Sequence, residues 1–415
     1  MKKATSDDYK AKFLTVEKAL QAIYQDLPII QAKEQLAIRT ALGRILAEDV
    51  QSQIAVPPHQ NSAMDGYAVR GTDLPSQDKA QFNLVGTSMA GLPCSTPVQA
   101  NQCIRIFTGA VIPTGADTVI MQEHVSKQDD IITIEAGHKL GQHVRAVGED
   151  IDIGQVVFKT GKQLSPADIG MLASLGIPEV NVWRRLRVAF FSTGDELCSV
   201  GENLGAGQIY DSNRYSIYSM LTRLGIEMVD MGVVRDKPAD IEAAFLTAAN
   251  CSDVIITSGG VSVGDADYVT ETLHRLGKVD FWKVAMKPGK PLTYGKIQQA
   301  VFFGLPGNPV SAMVTFYQIV QPALRRMMGH EQVTPIRITV PCVSDLKKSP
   351  GRVEFQRGIL ETDTQECLFV RSTGKQGSGI LSSMSQANCF IVLPLDCGNV
   401  TAGSEVLVEP FASLI

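Results

Sequence analysis

Charged and glycine-rich segments follow several apolar runs in the second half of the chain. They are STGDEL with Asp195 and Glu196, GVVRDKP with Asp236, SGGVSVGDADY with Asp265 and Asp267, KVAMKPGKP with Lys283, Lys287 and Lys290, and LPGNPVS with Gly307, Asn308 and Pro309. Carboxylate oxygens suit a divalent cation, whereas lysines, glycine N–H groups and helix N-termini bind phosphate. Together the segments predict a site for a polyanion that is held partly through a divalent cation.

Each segment also has a simpler interpretation. The glycines are consistent with ordinary turns, the lysines with a solvated surface, and Asn308 with Pro309 as the cap and first residue of a helix. All five segments, however, follow strands of one predicted sheet, and ligands of open α/β sheets bind at the carboxyl ends of the strands. This shared position favours the binding interpretation.

Further candidate residues lie outside these five segments. PPHQNSAMDGYAV presents Asp65, for which a locally capped turn is the alternative interpretation, and RAVGEDI presents Asp150. Near the C-terminus, GRVEFQRG and TGKQGSG supply Arg357 and Ser378. An arginine and a hydroxyl group close to glycines indicate an oxyanion pocket.

The elements that must position these residues follow from the hydrophobic spacing. From Arg187 onward the apolar strands RVAFFSTG, EMVDMGVV, DVIITSGG, VDFWKVAM and VFFGLPGNP are interspersed with helices at about 212–224 and 238–249, and a final helix runs through Met328. Such strands predict a parallel sheet that is covered on both faces. Helices are also predicted over residues 13–26, with Thr15 as N-cap, and after Ser165, with Pro166 as the first helical residue.

We therefore predict a multi-domain protein of the α/β plus β class, in keeping with a length of 415 residues. Residues 13–26 and 183–332 form the α/β domain, and residues 51–144 form a mostly β insertion. Residues 27–50 and 145–182 form a linker or first domain that flanks the insertion on both sides. Residues 333–415 form a C-terminal all-β domain of sandwich or barrel type, without helices.

Composition excludes several classes of function. The formal net charge of −5 argues against a dedicated nucleic-acid surface. The N-terminus MKKATSDDYK is not followed by the apolar core of a secretory signal, and no stretch approaches the length of a membrane span. The eight cysteines form no CxxC pair and are typical of reduced thiols. We expect a cytoplasmic protein that binds neither nucleic acid nor membrane.

The segments NSAMDGYAV, GEDI, STGDEL, SGGVSVGDADY, KPGKP, LPGNPVS and GRVEFQRG, in this order, closely resemble the molybdopterin molybdenumtransferase (MoeA) family, which is related to the E domain of gephyrin. The resemblance extends from about residue 13 to the C-terminus. It implies a transferase that inserts molybdate into adenylylated molybdopterin, with Mg²⁺-dependent release of AMP, to give the molybdenum cofactor. It also implies a C-terminal β-barrel-like domain and a homodimer in which the α/β domain of one subunit faces the insertion of the other. Its expected partners are a molybdopterin-adenylylating protein and downstream cofactor-handling proteins.

The same resemblance assigns roles to individual residues. The implied catalytic residues are Asp65, Glu196, Asp236, Asp267, Lys283 and Lys287, of which Glu196, Asp236 and Asp267 also hold the metal. The implied contacts to pterin, phosphate and molybdate are Thr108, Asp150, Ser258, Gly259, Gly260, Ser262, Gly264, Lys290, Pro306, Gly307, Asn308, Pro309, Arg357 and Ser378. The family often has Asp before the Asn of NSAMDGYA, where this chain has Gln60; this weakens a catalytic role for position 60 but not for Asp65.

Two other functions are weighed against this one. A molybdopterin adenylyltransferase has a similar α/β domain and uses ATP, but its loop after the third strand resembles TGGTG rather than SGGVSVG. A non-enzymatic scaffold is the second alternative, because gephyrin also organises membrane receptors. The intact carboxylates and lysines argue against a purely structural role.

Overall fold

A computed structural model describes residues 13–259, 268–330 and 334–411, apart from the side chains of Tyr268 and Phe281. The chain divides into two compact units. The smaller unit comprises Gln35–Leu42 and Leu46–Asn181, and the larger unit comprises the described residues of Met1–Glu34, Gly43–Ile45 and Val182–Ile415. The strands Lys33–Ala37 and Glu179–Trp183 contain two of the points where the chain passes from one unit to the other.

The smaller unit is built on a six-stranded sheet. Its strands lie in the order Thr118–Met121, Gly66–Val69, Gln102–Ile106, Lys79–Ser88, Ile131–Glu135 and Val125–Gln128. Neighbouring strands are antiparallel except for Lys79–Ser88 and Gln102–Ile106, which are parallel. Alternate side chains fill opposite faces, so Tyr67 and Ala68 belong to different core clusters.

Short elements complete the smaller unit. Val50–Gln51 pairs with Val156–Phe158, and Asn61–Ser62 pairs with Val144–Arg145. The helix Pro166–Ser174 begins with a capping box, in which the Ser165 hydroxyl accepts from the Asp168 N–H while the Asp168 carboxylate accepts from the Ser165 N–H. The predicted helix start at Ser165 and Pro166 is confirmed.

The central sheet of the larger unit has six strands. Their order is Glu227–Val234, Arg187–Thr193, Val254–Ser258, Ala300–Leu305, Pro291–Ile297 and Gly277–Lys283. The first four are parallel, and Pro291–Ile297 is antiparallel to both of its neighbours. The five strands predicted from the sequence all run in the same direction, as expected. The strand Pro291–Ile297 was not predicted; it returns from Gly277–Lys283 as a hairpin, separates that strand from Ala300–Leu305 and makes the sheet mixed.

Helices cover both faces of this sheet, as predicted. One face carries Val16–Asp26, Ser212–Arg223 and a long helix made of Pro309–Thr315, a π-helical turn Phe316–Val320 and Gln321–Met327. The other face carries Pro238–Cys251 and Tyr268–Leu276. Phe190 faces the first layer and Phe191 the second, which is the alternation expected of a strand. Thr15 caps its helix by accepting from the Lys18 N–H at 3.3 Å, as predicted.

The C-terminal part of the larger unit is a second sheet. Its strands lie in the order Met286–Lys287, Val353–Thr362, Cys389–Leu393, Glu405–Pro410 and Ile338–Pro341, with Leu368–Ser372 also paired to Val353–Thr362. A bridge between Cys342 and Val370 brings the strand Leu368–Ser372 back towards Ile338–Pro341, so the sheet curls around its own core. The expectation of a helix-free segment is wrong, because Leu381–Gln386 is a short helix.

Two further features bear on the expectations from composition. All eight cysteines are free thiols. Within residues 13–259, 268–330 and 334–411, none of the helices combines the length and the hydropathy required to span a lipid bilayer.

Candidate functional site

The carboxyl ends of the parallel strands meet at one edge of the central sheet. Ser192 is in register with Ser258, and Ser258 with Leu305. Because Gly277–Lys283 runs in the same direction as these strands, its last residue, Lys283, lies at this edge too. The five candidate segments therefore begin at a common edge, as predicted, and we call it the ligand edge.

Two acidic loops stand next to each other at the ligand edge. Asp195 and Glu196 are both exposed, and the N–H of Asp236 lies 3.5 Å from Oδ1 of Asp195. The Glu196 carboxylate folds back over Gly194, where a Cβ atom would lie 2.6 Å from Oε2 of Glu196. Gly194 thus leaves room for the carboxylate, and the two loops present carboxylate oxygens of the kind that bind Mg²⁺.

A buried asparagine joins the two glycine loops of the ligand edge. Nδ2 of Asn213 donates to Oγ of Ser258 and to the carbonyl of Gly307, at 2.7 Å in each case. Asn213 is 8% exposed and lies in the first turn of Ser212–Arg223. Sequence reasoning missed this residue, because one polar side chain in a first helical turn has no distinctive pattern.

Gly259 is required at its position by the backbone. Its φ is +91°, and a Cβ atom there would lie 2.4 Å from the carbonyl oxygen of Thr193. The turn after Val254–Ser258 therefore packs directly against the end of Arg187–Thr193. The predicted contacts Gly260, Ser262, Gly264 and Asp267 lie outside the described residues.

The LPGNP segment leads into a helix at the same edge. Pro306 is buried, Gly307 is exposed, Asn308 is the N-cap residue and Pro309 is the first helical residue. The side chain of Asn308 is exposed and makes no capping hydrogen bond, so the first-turn N–H groups are not satisfied by it. The Val310 N–H of this turn donates to the carbonyl of Ser378, and anion binding at this helix start stays a prediction.

The three lysines of KVAMKPGKP lie on or beside the ligand edge. Lys283 is exposed, and its carbonyl accepts from the Leu14 N–H at 3.0 Å. Lys287 is exposed and pairs with Glu354 at 3.0 Å. Nζ of Lys290 lies 5.2 Å from the centre of the Phe13 ring. The structure thus places cationic groups at the same edge as the carboxylates, with the strands Val254–Ser258 and Ala300–Leu305 between the two sets.

Ser378 lies in a loop that contacts the LPGNP helix, whereas Arg357 is buried behind that loop. The carbonyl of Ser378 accepts from the Val310 N–H at 3.0 Å, so the loop that contains Ser378 touches the start of the LPGNP helix. Arg357 is only 1% exposed; its Nε donates to Oγ of Ser383 and its Nη2 to the carbonyl of Gly377, at 3.0 and 3.1 Å. Burial lowers the pKa of the Arg357 guanidinium to about 10. The contacts of Arg357 hold the Ser378 loop in place.

Asp65, Thr108 and Asp150 belong to the smaller unit. Oδ1 of Asp65 accepts from both the N–H and the hydroxyl of Thr108, at 2.7 and 2.8 Å. These two bonds hold the pKa of Asp65 below its usual value, and the nearby Arg105 guanidinium adds a smaller contribution. Asp65 is therefore an oriented, ionised carboxylate. Asp150 is exposed, and its N–H donates to the carbonyl of Val56.

The described residues do not by themselves complete a metal site. Among them, no group of three or more His, Cys, Asp or Glu side chains is arranged to hold a metal ion. Two of the three predicted ligands, Glu196 and Asp236, lie on the adjacent acidic loops, and the third, Asp267, is outside the described residues. The donors are chemically suited to Mg²⁺.

An open α/β sheet with glycine turns, a helix start, carboxylates and lysines at the carboxyl ends of its strands defines the class of α/β proteins whose ligands bind at that edge. Three family descriptions match the chain in succession: "MoeA N-terminal region (domain I and II)" over residues 14–176, "Probable molybdopterin binding domain" over 189–326 and "MoeA C-terminal region (domain IV)" over 339–411. The chain belongs to the MoeA family of molybdopterin molybdenumtransferases.

Individual relatives support this assignment. The chain is 46% identical to a molybdopterin molybdenumtransferase of Haemophilus influenzae, over 97% of this chain and 100% of the relative. It is 38% identical to one from a Nostoc species, over 91% of this chain and 88% of the relative. A crystal structure of a molybdopterin biosynthesis MoeA protein from Pyrococcus horikoshii superposes with a TM-score of 0.85 and 29% identity, over 96% of this chain and 100% of that one. The predicted family and fold class are confirmed.

Proposed function

We propose that this protein is a molybdopterin molybdenumtransferase that inserts molybdate into adenylylated molybdopterin and releases AMP. The observation that carries the proposal is the ligand edge, where Asn213 joins two glycine loops beside a segment of three lysines. Molybdate, a dithiolene and a phosphoanhydride bring several negative charges together. Lysines, N–H groups and a helix start offset that repulsion without rearranging during the reaction.

We assign the contacts at this edge as follows. Ser258, Gly259 and the LPGNP segment bind the phosphate and pterin groups, together with the part of SGGVSVG outside the described residues. Lys283, Lys287 and Lys290 face the anionic ligand, and the loop that Arg357 holds contacts the start of the LPGNP helix through Ser378. The buried state of Arg357 favours this positioning role, while direct contact with molybdate would require part of its guanidinium to be released from the loop carbonyls.

Mg²⁺ fits the acidic loops of the ligand edge. We propose that Glu196, Asp236 and Asp267 hold it, since the first two lie on loops that touch through Asp195 and Asp236. The bound ion would supply positive charge that neutralises the phosphate groups. A chelator that removes the ion is expected to abolish AMP release, and added Mg²⁺ is expected to restore it.

We further propose that the enzyme is a homodimer with a shared cleft, and that Asp65, Thr108 and Asp150 serve the ligand edge of the other subunit. This predicts complementation between two inactive variants. Mixed subunits carrying Asp65→Asn and Glu196→Gln should regain activity, because one of the two clefts in each heterodimer is intact. Two inactive variants that stay inactive when mixed, despite forming heterodimers, would exclude a shared site.

We also propose that the protein is cytoplasmic and that it has four domains. These are residues 27–50 with 145–182, residues 51–144, residues 13–26 with 183–332, and residues 333–415. Eight free cysteines suit the reducing cytoplasm. We expect a molybdopterin-adenylylating protein to supply the substrate and cofactor-handling proteins to receive the product, because an adenylylated pterin and a labile metal dithiolene require a preceding and a following step.

The proposal is tested with two lysines at opposite ends of one strand. Lys283 ends Gly277–Lys283 at the ligand edge, whereas Lys278 is exposed near the start of the same strand. Lys283→Ala should lower AMP release from adenylylated molybdopterin by about 10-fold to 100-fold, the usual effect of losing one charged contact. Lys278→Ala should leave the rate unchanged. Equal rates of AMP release by the two variants would show that Lys283 at the ligand edge does not take part in the reaction.

The two alternative functions predict different products. An adenylyltransferase would accumulate adenylylated pterin from ATP and pterin dithiolene in the absence of molybdate. If variants carrying Asp65→Asn or Lys287→Ala still supported cofactor synthesis in a cell lacking its own enzyme, these side chains would have no catalytic role, and the scaffold would be favoured. For the transferase proposed here, we expect no adenylylated pterin to accumulate from ATP and no cofactor synthesis by either variant.

A further inference from the structure

The lysine segment of the α/β domain is built into the C-terminal sheet. The short strand Met286–Lys287 runs parallel to the start of Val353–Thr362, with Lys287 opposite Glu354. Nζ of Lys287 lies 3.0 Å from Oε1 of Glu354. The Glu354 side chain is 5% exposed, whereas that of Lys287 is 46% exposed. The ion pair therefore has a buried acidic end and an open basic end.

The carboxylate of Glu354 is fixed from its buried side. Nε2 of Gln356 donates to Oε1 of Glu354 at 3.2 Å and to the carbonyl of Lys347 at 2.9 Å. A second lysine nearby, Lys348, is buried and directs its ammonium group to three backbone carbonyls, of Ser349, Leu395 and Cys397. Lys287 is thus the lysine whose ammonium group contacts this carboxylate among the described residues.

A fixed carboxylate behind a lysine has a specific consequence. A free lysine side chain samples many rotamers, and an anion that binds it must first restrict them. An ammonium group has three donors. When one points to Glu354, the group stays in one place and the other donors face the open side. Glu354 cannot follow Lys287 into solvent, so it decides where the cation is presented.

We propose that Glu354 is a positioning residue for the oxyanion substrate: it holds the Lys287 ammonium in the place where molybdate binds, without touching molybdate itself. This inference rests on the proposed transferase function, because it concerns the same site. The negative charge of Glu354 would by itself weaken anion binding. The Lys287 ammonium lies between the Glu354 carboxylate and the bound anion. Removing the carboxylate therefore weakens anion binding, because the lost positioning of Lys287 outweighs the lost repulsion between Glu354 and the anion.

The test is a double-mutant cycle on the molybdate dependence of AMP release. Glu354→Gln should raise the half-saturating molybdate concentration about 10-fold and change the rate at saturating molybdate less than about threefold. In a Lys287→Met background, Glu354→Gln should have no further effect, because Glu354 acts on molybdate only through the Lys287 ammonium. Glu354→Asp keeps the charge but withdraws it by one methylene group, and should give an intermediate value.

A second readout does not depend on activity. Acetic anhydride labelling of the folded protein, followed by mass spectrometry of peptides, measures how accessible each lysine amine is. Glu354→Gln should raise the labelling rate of Lys287 at least about threefold while Lys283 serves as the internal reference. An unchanged Lys287 rate would show that the ion pair does not hold the amine, and would overturn the inference.

A matched control is available in the same sheet. Glu409 is also buried, with its carboxylate paired to Arg337 at 3.0 Å and to Gln318 at 2.6 Å. Glu409→Gln should lower stability but leave the molybdate dependence unchanged; an equal change would mean that Glu354 acts only through stability. A Glu354→Gln value within twofold of wild type, or an effect that persists without Lys287, also overturns the inference. If the wild-type protein releases no AMP, the proposed function fails, and the labelling experiment still decides whether Glu354 holds Lys287.

Discussion

Asn213→Ala removes the two hydrogen bonds that connect the two glycine loops. The wild-type amide donates to Ser258 and to the carbonyl of Gly307 at 2.7 Å in both bonds. Alanine is well tolerated in a helix, so the helix Ser212–Arg223 itself should persist. The expected result is a moderate loss of stability together with weaker binding of adenylylated molybdopterin, because the loops after Ser258 and around Gly307 lose their common anchor.

The size of the stability loss follows from the two bonds. A buried hydrogen bond between neutral groups contributes about 1 kcal/mol net, so losing two gives about 2 kcal/mol. That value corresponds to about a 30-fold change in the folding equilibrium. Asn213→Asp should lower the stability further than Asn213→Ala. A carboxylate cannot donate to the Gly307 carbonyl, and its oxygen would repel the carbonyl oxygen.

Tryptophan fluorescence in urea measures this loss, since Trp183 and Trp282 are the only tryptophans and both lie in the larger unit with Asn213. Asn388→Ala is the control: Asn388 also makes two side-chain hydrogen bonds, both to the backbone of Leu360, and it directly precedes the strand Cys389–Leu393 of the C-terminal sheet. We expect Asn213→Ala to raise the KM for adenylylated molybdopterin at least about fivefold and Asn388→Ala to leave it unchanged. A stability loss below about 0.5 kcal/mol, or an unchanged KM, would refute the role assigned to Asn213.

Three further predictions test separate parts of the structure. Gly289→Ala should destabilise the lysine segment and lower activity, because φ is +95° and the new Cβ atom would lie 2.5 Å from Oγ1 of Thr315. Thr108→Val removes one of the two bonds that hold the pKa of Asp65 low, so that pKa should rise. The fall of activity on the acidic side should then begin at a higher pH. Burial lowers the pKa of His330 from 6.5 to about 4. The unfolded chain therefore gains a proton in that interval before the folded chain does, and stability should fall by about 3 kcal/mol as the pH drops from about 6.5 to about 4.

Each of these predictions has its own control. Gly403→Ala also places alanine at positive φ, +88°, but with no atom within 4 Å of the new Cβ. It should show only the backbone strain of about 1 kcal/mol, so an equal effect at Gly289 would exclude the predicted collision. Thr108→Ser keeps a hydroxyl and should keep the wild-type pH profile, and a shift as large as that of Thr108→Val would be against the hydrogen-bond explanation. His330→Gln should remove the acid-dependent loss of stability seen by fluorescence; if that loss persists, another group causes it.

The elements with local signals were predictable from the sequence. Thr15 and the pair Ser165–Pro166 marked helix starts because their side chains and fixed φ act within one turn. Buried strands such as Arg187–Thr193 were predictable because a sheet covered on both faces needs continuous apolar residues. The shared edge of the candidate loops followed from strand direction alone.

The features that were missed depend on distant partners. Pro291–Ile297 contains Thr, Tyr and Gly, and it becomes an internal strand only because Gly277–Lys283 and Ala300–Leu305 pair with its two sides. The burial of Arg357 depends on a loop that begins almost twenty residues later in the chain. Asn213 and Glu354 likewise have ordinary sequence neighbours, and their roles come from contacts with segments far away in the sequence.

AMP released by the purified protein from adenylylated molybdopterin, followed with Mg²⁺ present and with molybdate either added or omitted, tests the transferase function most directly. We expect rapid release with molybdate, very little without it, and molybdenum bound to the dithiolene product in equal amount to the AMP. Equal release in both conditions, or AMP without molybdenum in the product, would contradict the assignment.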